Sequence, residues 1–263
     1  MPLSSQGQSG AVKSQVWPSG GRHLWRSGGV SSVQTHDHGH LVYAATGVLT
    51  VHTSEGTSVV PANRIAWTPA GRAHQHRAHG YTDMRIVFVP LSLAARILRR
   101  PAVFLATDLA REVVLALTGP NGDDPPAYSA SAQARLRRVL VDELREAQEQ
   151  PLYLPVPRDD RLQALARILD ERPGDNASMA ELGAEVGASS RTLSRLLSNE
   201  LGMTFYQWRT QLRIYHALVL LSEGNDVTQT AHDCGWSNPS AFITAFADVM
   251  GTTPGQYLGS RPR

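Results

Sequence analysis

Toward the C-terminus, apolar, capping and turn residues follow a pattern that occurs twice. Ser178, Glu181, Val186 and Gly187 correspond to Asp226, Gln229, Cys234 and Gly235 at an offset of 48. After those glycines the offset is 49, pairing Leu193 with Phe242, Leu197 with Phe246, Gly202 with Gly251, Gln207 with Gln256 and Trp208 with Tyr257. The second copy therefore carries one extra turn residue. Ser178 with Glu181, and Asp226 with Gln229, have the spacing of an N-cap and its N3 partner, so each copy predicts a helix start. Gly187 and Gly235 supply the positive φ that ends a helix and turns the chain. A second helix follows in each copy. Ser189 or Ser190 caps the first, and Asn238 with Pro239 at the first helical position caps the other. Leu193, Leu196 and Leu197, and Phe242 and Phe246, form their buried faces.

Residues 205–222 contain no Pro or Gly and carry Trp208, Leu212, Tyr215, Leu218, Val219 and Leu221. This predicts one connecting helix, roughly 27 Å long at 1.5 Å per residue. The length is close to the ~34 Å between successive major-groove faces on one side of B-DNA. Two helix-turn-helix units on a stiff strut would then enter adjacent turns of one duplex.

The front half has a different rhythm. Short apolar runs at 41–45, 47–51, 58–60, 65–67 and 84–89, broken by Gly and Pro, predict an antiparallel barrel or sandwich. Helical stretches follow at 91–98 and 108–117, then a Pro, Gly and Asp loop over 119–131. Residues 132–150 read as an amphipathic helix with Leu136, Val139, Leu140, Glu143 and Leu144 at helical spacing. That stripe either pairs two subunits or packs on its own barrel; periodicity allows both. Pro151, Pro155 and Pro157 stop the helix and mark a linker. The expected organisation is a sensor domain over 1–90, a helical extension over 91–150, a linker over 151–160 and a DNA-binding domain over 161–263. Residues 1–15, rich in Ser, Gly and Gln, read as loose.

Residues 161–258 resemble the DNA-binding domain of the AraC/XylS family of bacterial transcription regulators. The resemblance is carried by the segment 179–195, by the connecting helix, and by Gly235-Trp-Ser-Asn-Pro-Ser-Ala-Phe242 running on to Gly251-Thr-Thr-Pro-Gly-Gln-Tyr257. On the first recognition helix the outward positions are Ser189, Ser190, Arg191, Ser194, Arg195 and Ser198. Arg191 and Arg195 lie four apart on one face and suit bidentate contact with guanine or a phosphate clamp, unless surface ion pairs with Glu185 or Glu200 occupy them. The second helix presents Ser237, Asn238, Ser240, Ile243 and Thr244. Many family members carry a base-reading Arg where Thr244 stands. Its absence implies that the second unit makes mainly phosphate and methyl contacts.

Charge refines this reading. From 161 onward nine Arg and no Lys face ten Asp and Glu, so DNA affinity must come from local clustering of Arg191, Arg195, Arg209 and Arg213. Residues 1–90 carry seven basic and three acidic side chains, an excess that fits a ligand, a partner or solubility. Overall 41% of residues are hydrophobic and 18% charged, as in ordinary globular proteins. The single cysteine, Cys234, excludes an intrachain disulfide and falls at a core position of the repeat. No signal peptide or membrane-length apolar run is legible, which predicts a cytoplasmic protein.

Eight of the ten histidines precede residue 80. In a strand His36, His38 and His40 would project from one face, as would His74 and His76. This half resembles the cupin-type sensor domains that precede such DNA-binding domains, through His36-Asp-His38 followed by Gly47 and through Pro69-Ala-Gly-Arg-Ala-His74. The resemblance implies His36, His38 and His74 as imidazole ligands. Val42 and Tyr43 stand where a glutamate ligand is usual, so His40 or His76 would complete a nitrogen-rich site for Zn, Ni, Fe or Mn. A metal-free pocket for an organic effector, with Tyr43 and Trp67 in its lining, is the alternative.

The chain thus reads as a two-domain α+β protein: a cupin-like antiparallel barrel with following helices, then an all-α domain with two helix-turn-helix units on one long helix. The expected function is sequence-specific transcription regulation. A small molecule or metal in the barrel would modulate operator binding or contact with RNA polymerase, in a possible homodimer. A metal-dependent cupin enzyme fused to a DNA reader is the rival. No acid, base or nucleophile outside the histidines supports catalysis.

Overall fold

In a computed structural model, residues 21–120 and 128–259 are described. The expected loose segment at 1–15 lies outside them, as does most of the 119–131 loop. Strands β1 (Gly21–Trp25), β2 (Gly39–Thr53), β3 (Gly56–Pro61), β4 (Arg64–Thr68) and β5 (His74–Val89) come first. Then follow α1 (Leu91–Ala94), β6 (Ala102–Leu105), α2 (Asp108–Thr118), α3 (Ala130–Glu146) and β7 (Tyr153–Pro155). Seven described strands form one antiparallel sheet in the order β1-β5-β2-β3-β7, with β4 pairing β2 and β6. The apolar runs at 41–45 and 47–51 belong to the single strand β2, whose ladder to β5 shifts register between Ala44 and Thr46 and between Thr46 and Val48. These irregularities bend β2, so that it serves β4 with one half and β3 with the other. The stretch leading into β7 closes the ring: Gln150 N–H donates to the Val103 carbonyl of β6 at 2.7 Å, Leu105 N–H to the Gln148 carbonyl at 3.2 Å, and Val59 N–H of β3 to the Leu152 carbonyl at 2.8 Å.

The helical half consists of α4 (Asp160–Glu171), α5 (Met179–Glu185), α6 (Ser190–Leu201), α7 (Phe205–Ser222), α8 (Val227–Asp233), α9 (Pro239–Met250) and α10 (Pro254–Gly259). The strut expected over 205–222 is α7. One apolar core joins the halves: Val48, Val59 and Leu154 of the sheet belong to the same buried cluster as Leu162, Leu165 and Leu218 of α4 and α7. A second cluster sets Leu41, Tyr43, Ile65 and Trp67 against Val113, Leu117, Leu140 and Leu144 of α2 and α3. The inward stripe of α3 therefore packs on its own sheet, while Val139 stays exposed.

Within the proline-rich segment expected as a linker, Tyr153–Pro155 form strand β7. In β7, Thr57 faces Leu154 and Ser58 faces Tyr153, and Leu152 is fully buried. Beyond it, Val156 N–H donates to the Glu55 carbonyl at 2.8 Å. Glu200 accepts from the Arg158 and Asp159 N–H groups at 2.6 and 3.3 Å. Prolines prevent helix but not an edge strand, where a missing N–H can face away from the ladder.

Candidate nucleic-acid interface and histidine cluster

Both helix-turn-helix units form from the local chemistry of the repeat. Ser178 and Glu181 make a reciprocal capping box at the start of α5. Asp226 caps α8 by accepting from Gln229 N–H at 2.9 Å, but the Gln229 amide reaches forward to Asp233 at 2.6 Å, so no reciprocal box forms there. Gly187 and Gly235 have φ of +68° and +84° and make the turns. Ser189 caps α6; Asn238 caps α9, with Pro239 in its first turn. Four residues separate α5 from α6 and five separate α8 from α9, which is the one-residue insertion of the second copy.

The recognition helices bury Leu193 and Leu197 in one unit and Phe242, Phe246 and Met250 in the other. Their opposite faces are open: Ser189, Arg191, Ser194, Arg195 and Ser198 of the first, and Ser237, Asn238, Ser240, Ile243 and Thr244 of the second, are exposed, with Ser190 half-buried. Among the described residues Arg191 and Arg195 have no ion pair. Glu185 is engaged by Arg172 at 2.7 Å, and Glu200 caps the start of α4 through backbone N–H groups. The Thr244 hydroxyl donates to the Ser240 carbonyl at 3.1 Å, which leaves its methyl group as the outward contact.

Arg209 and Arg213 make internal contacts. Arg209 donates to the Ala177 carbonyl and lies over the Phe205 ring, 4.2 Å from its centroid. Arg213 donates to the carbonyls of Pro173 at 3.1 Å and Asp175 at 2.7 Å, and to Asn176 Oδ1 at 2.9 Å. Both guanidinium groups donate to carbonyls of the loop between α4 and α5, charge-assisted bonds that hold the first unit on the strut. A Cβ on Gly235 would stand 2.6 Å from Arg213 Nη2, so glycine is required there for clearance as well as for its backbone angle. Cys234 is buried, and burial pushes its thiol up to about 12, as suits a core residue.

Residues 182–260 match a family model described as "Helix-turn-helix domain". The match lies wholly within the helical half, over α5 to α10. The HTH-type transcriptional regulator NimR of Escherichia coli K12 is 29% identical over 228 residues, 87% of this chain and 82% of that protein. The HTH-type transcriptional regulator RipA of Corynebacterium glutamicum is 33% identical over 104 residues, 40% of this chain and 31% of its own length. Among solved structures, ToxT of Vibrio cholerae O395 aligns with a TM-score of 0.42 at 13% identity, over 92% of this chain and 97% of that one. The chain thus carries a helix-turn-helix domain and is similar along most of its length to an HTH-type transcriptional regulator. Among the described residues no helix is long and apolar enough to cross a membrane.

In the sheet half, ligand atoms of His40, His74 and His76 lie within 4.8 Å of one another, and all three residues are buried. Their Nε2 atoms have no hydrogen-bond partner. His74 Nδ1 lies 2.9 Å from the Arg72 carbonyl, which can only accept, so the proton sits on Nδ1 and Nε2 keeps its lone pair. Burial holds His40 well below the usual imidazole range and His76 down to about 3, so both are neutral at pH 7. Three buried, neutral, unpartnered imidazole nitrogens fit a first-row divalent ion.

The trio differs from the set implied by resemblance. His38 is exposed and outside the group, and His36 stands half-buried beside it, with ring centroids 5.2 Å from His74 and 5.6 Å from His40. The cause is local: β2 begins at Gly39, so His36 and His38 precede the strand and strand alternation does not apply to them. No carboxylate joins the group among the described residues. Tyr43 and Trp67, expected in an effector pocket, are buried in the core under α2 and α3, where the Trp67 indole N–H donates to the Leu98 carbonyl at 2.7 Å.

Proposed function

We propose that this regulator reads its operator chiefly through Arg191 and Arg195 on α6, with α9 adding contacts from Ser237, Asn238, Ser240 and Thr244. The observation that carries this reading is a pair of exposed guanidinium groups, four residues apart on the open face of a capped helix, with no ion-pair partner among the described residues. Guanidinium groups without internal partners are free to fork onto guanine or clamp phosphate. Selection of bound duplexes from a random library, followed by binding with Arg191→Ala and Arg195→Ala, tests it. Retention of full affinity and unchanged sequence preference in the double variant would refute it.

The sensing half holds a first-row divalent ion on His40, His74 and His76 as its effector or as the anchor of one. The ion would supply a Lewis-acidic centre there, and the three imidazoles would orient it. The support is the shared orphaning of three buried Nε2 atoms. Elemental analysis of purified protein checks it: close to one equivalent of metal in the wild type, and little in His40→Ala/His74→Ala. Occupancy alters operator affinity or contact with RNA polymerase by favouring one arrangement of the two halves. The protein acts in the cytoplasm, where the chromosome is. Two copies pair through Leu109 and Val139, large apolar side chains left exposed on α2 and α3.

A further inference from the structure

At the offset of 49 that aligns the two recognition helices, Arg191 corresponds to Ser240 and Arg195 to Thr244. Each guanidinium of the first helix is thus matched by a short neutral side chain in the second. The difference extends beyond these two positions. From Ile214 to Ser260, a stretch that includes α8 and α9, there is no Lys or Arg, against Glu223, Asp226, Asp233 and Asp248. Of the two histidines there, His216 pairs with Asp170 at 3.3 Å. Phosphate contacts draw their energy from protein cations that displace counterions. Helices α8 and α9 carry no permanent cation to offer.

What α9 presents instead is apolar. Its inner side is Phe242, Phe246 and Met250, whereas Ser240, Ala241, Ile243 and Thr244 are exposed. The Thr244 hydroxyl donates back to the Ser240 carbonyl at 3.1 Å, and Asn238 Oδ1 accepts from the Ala241 N–H at 3.1 Å. Those two polar groups are committed to the helix itself. The methyls of Thr244 and Ala241 and the Ile243 side chain remain for a partner. Among base edges in the major groove thymine alone offers an apolar group, its C5 methyl, and Ala and Thr methyls suit contact with it.

We propose that α9 reads a thymine methyl group through Thr244, flanked by Ala241 and Ile243, and makes no ionic contact with the duplex. This rests on the operator reading above and sharpens it. The operator then has two unlike halves: an arginine-contacted segment, and a thymine-bearing one roughly 10 base pairs away, the spacing of successive major-groove faces. Affinity that depends on salt comes from the first half. The second half adds sequence choice that salt barely moves.

The test uses the full chain and the duplex that it selects from a random library, titrated by fluorescence anisotropy. Selected sequences should share a thymine about one helical turn from the segment that Arg191 and Arg195 protect. Replacing that thymine by deoxyuridine deletes only the C5 methyl and should weaken binding about fourfold, the worth of one buried methyl, with the salt slope unchanged. Thr244→Ser removes the facing methyl and keeps the hydroxyl. It should weaken the thymine duplex to a similar degree and bind the deoxyuridine duplex equally well. Thr244→Arg restores a cation and should steepen the salt slope by about 1. Equal affinity for thymine and deoxyuridine, full thymine preference in Thr244→Ser, or a wild-type salt slope in Thr244→Arg would overturn the proposal. If the Arg191→Ala/Arg195→Ala variant binds as the wild type does, the operator reading fails and this inference with it. If that variant loses affinity while deoxyuridine has no effect, only the thymine assignment fails.

Discussion

The Arg64 guanidinium donates from Nη2 to the main-chain carbonyl of Met250 at 2.7 Å, linking β4 of the sensing half to the last turn of the second recognition helix. Arg64 is 2% exposed, and burial lowers its guanidinium to about 10, so it remains a cation at neutral pH. A cation at the C-terminal end of α9 also meets the negative end of the helix dipole. Arg64→Met keeps most of the stem and removes the charge. It should lower stability by about 1.5–3 kcal/mol, the worth of a hydrogen bond from a charged group. Urea unfolding followed by fluorescence measures this.

Arg191→Ala and Arg195→Ala should each weaken operator binding by about 1–3 kcal/mol where the side chain reads a base, and reduce the salt slope by about 1 where it clamps phosphate. Their unfolding midpoints should stay at the wild-type value, because neither side chain has an internal partner among the described residues. Anisotropy titrations at several salt concentrations separate the two roles.

Arg213→Ala should behave in the opposite way. Its guanidinium satisfies the Pro173 and Asp175 carbonyls, so its removal lowers the unfolding midpoint, at a cost of about 2–3 kcal/mol. Any loss of DNA affinity should follow that destabilisation and recover on cooling. Differential scanning calorimetry beside binding at two temperatures checks it.

Acid should loosen the contact between the halves through His79. Burial holds its folded-state value down to about 4, against about 6.5 in an unfolded chain. The folded form thus prefers the neutral ring. Its contribution is intact above pH 6.5 and is lost as pH falls toward 4, since the unfolded chain takes up a proton that the folded one refuses. His52 shifts the same way. Denaturation midpoints between pH 7.5 and 4.5 should fall, and His79→Gln should reduce that slope.

The reader half was largely legible because its signals are local. A cap, a turn glycine and a helical apolar stripe each sit within a few residues of what they control, so Ser178, Gly187, Asn238 and Pro239 act where the sequence puts them. The internal bonds of Arg209 and Arg213 were not legible, because composition shows a guanidinium but not the carbonyls that a loop 30 to 40 positions away presents to it. The histidines show the same limit. Alternation placed His74 and His76 together, yet the start of β2 at Gly39 excluded His38 from their company. The bond from Arg64 to Met250 is a product of packing between distant elements, for which the sequence carries no short-range sign.

The anchored stretch from Tyr153 to Asp159 bears on how the protein should be cut. A fragment of the front half ending at residue 150 would bare the backbone edge of β3 that β7 now covers, and such open edges recruit other chains. Ending it at residue 157 keeps that selvage sewn, so only the longer piece should stay unaggregated. Chimaeras that graft this sensor onto a foreign reader should therefore place their seam beyond residue 157.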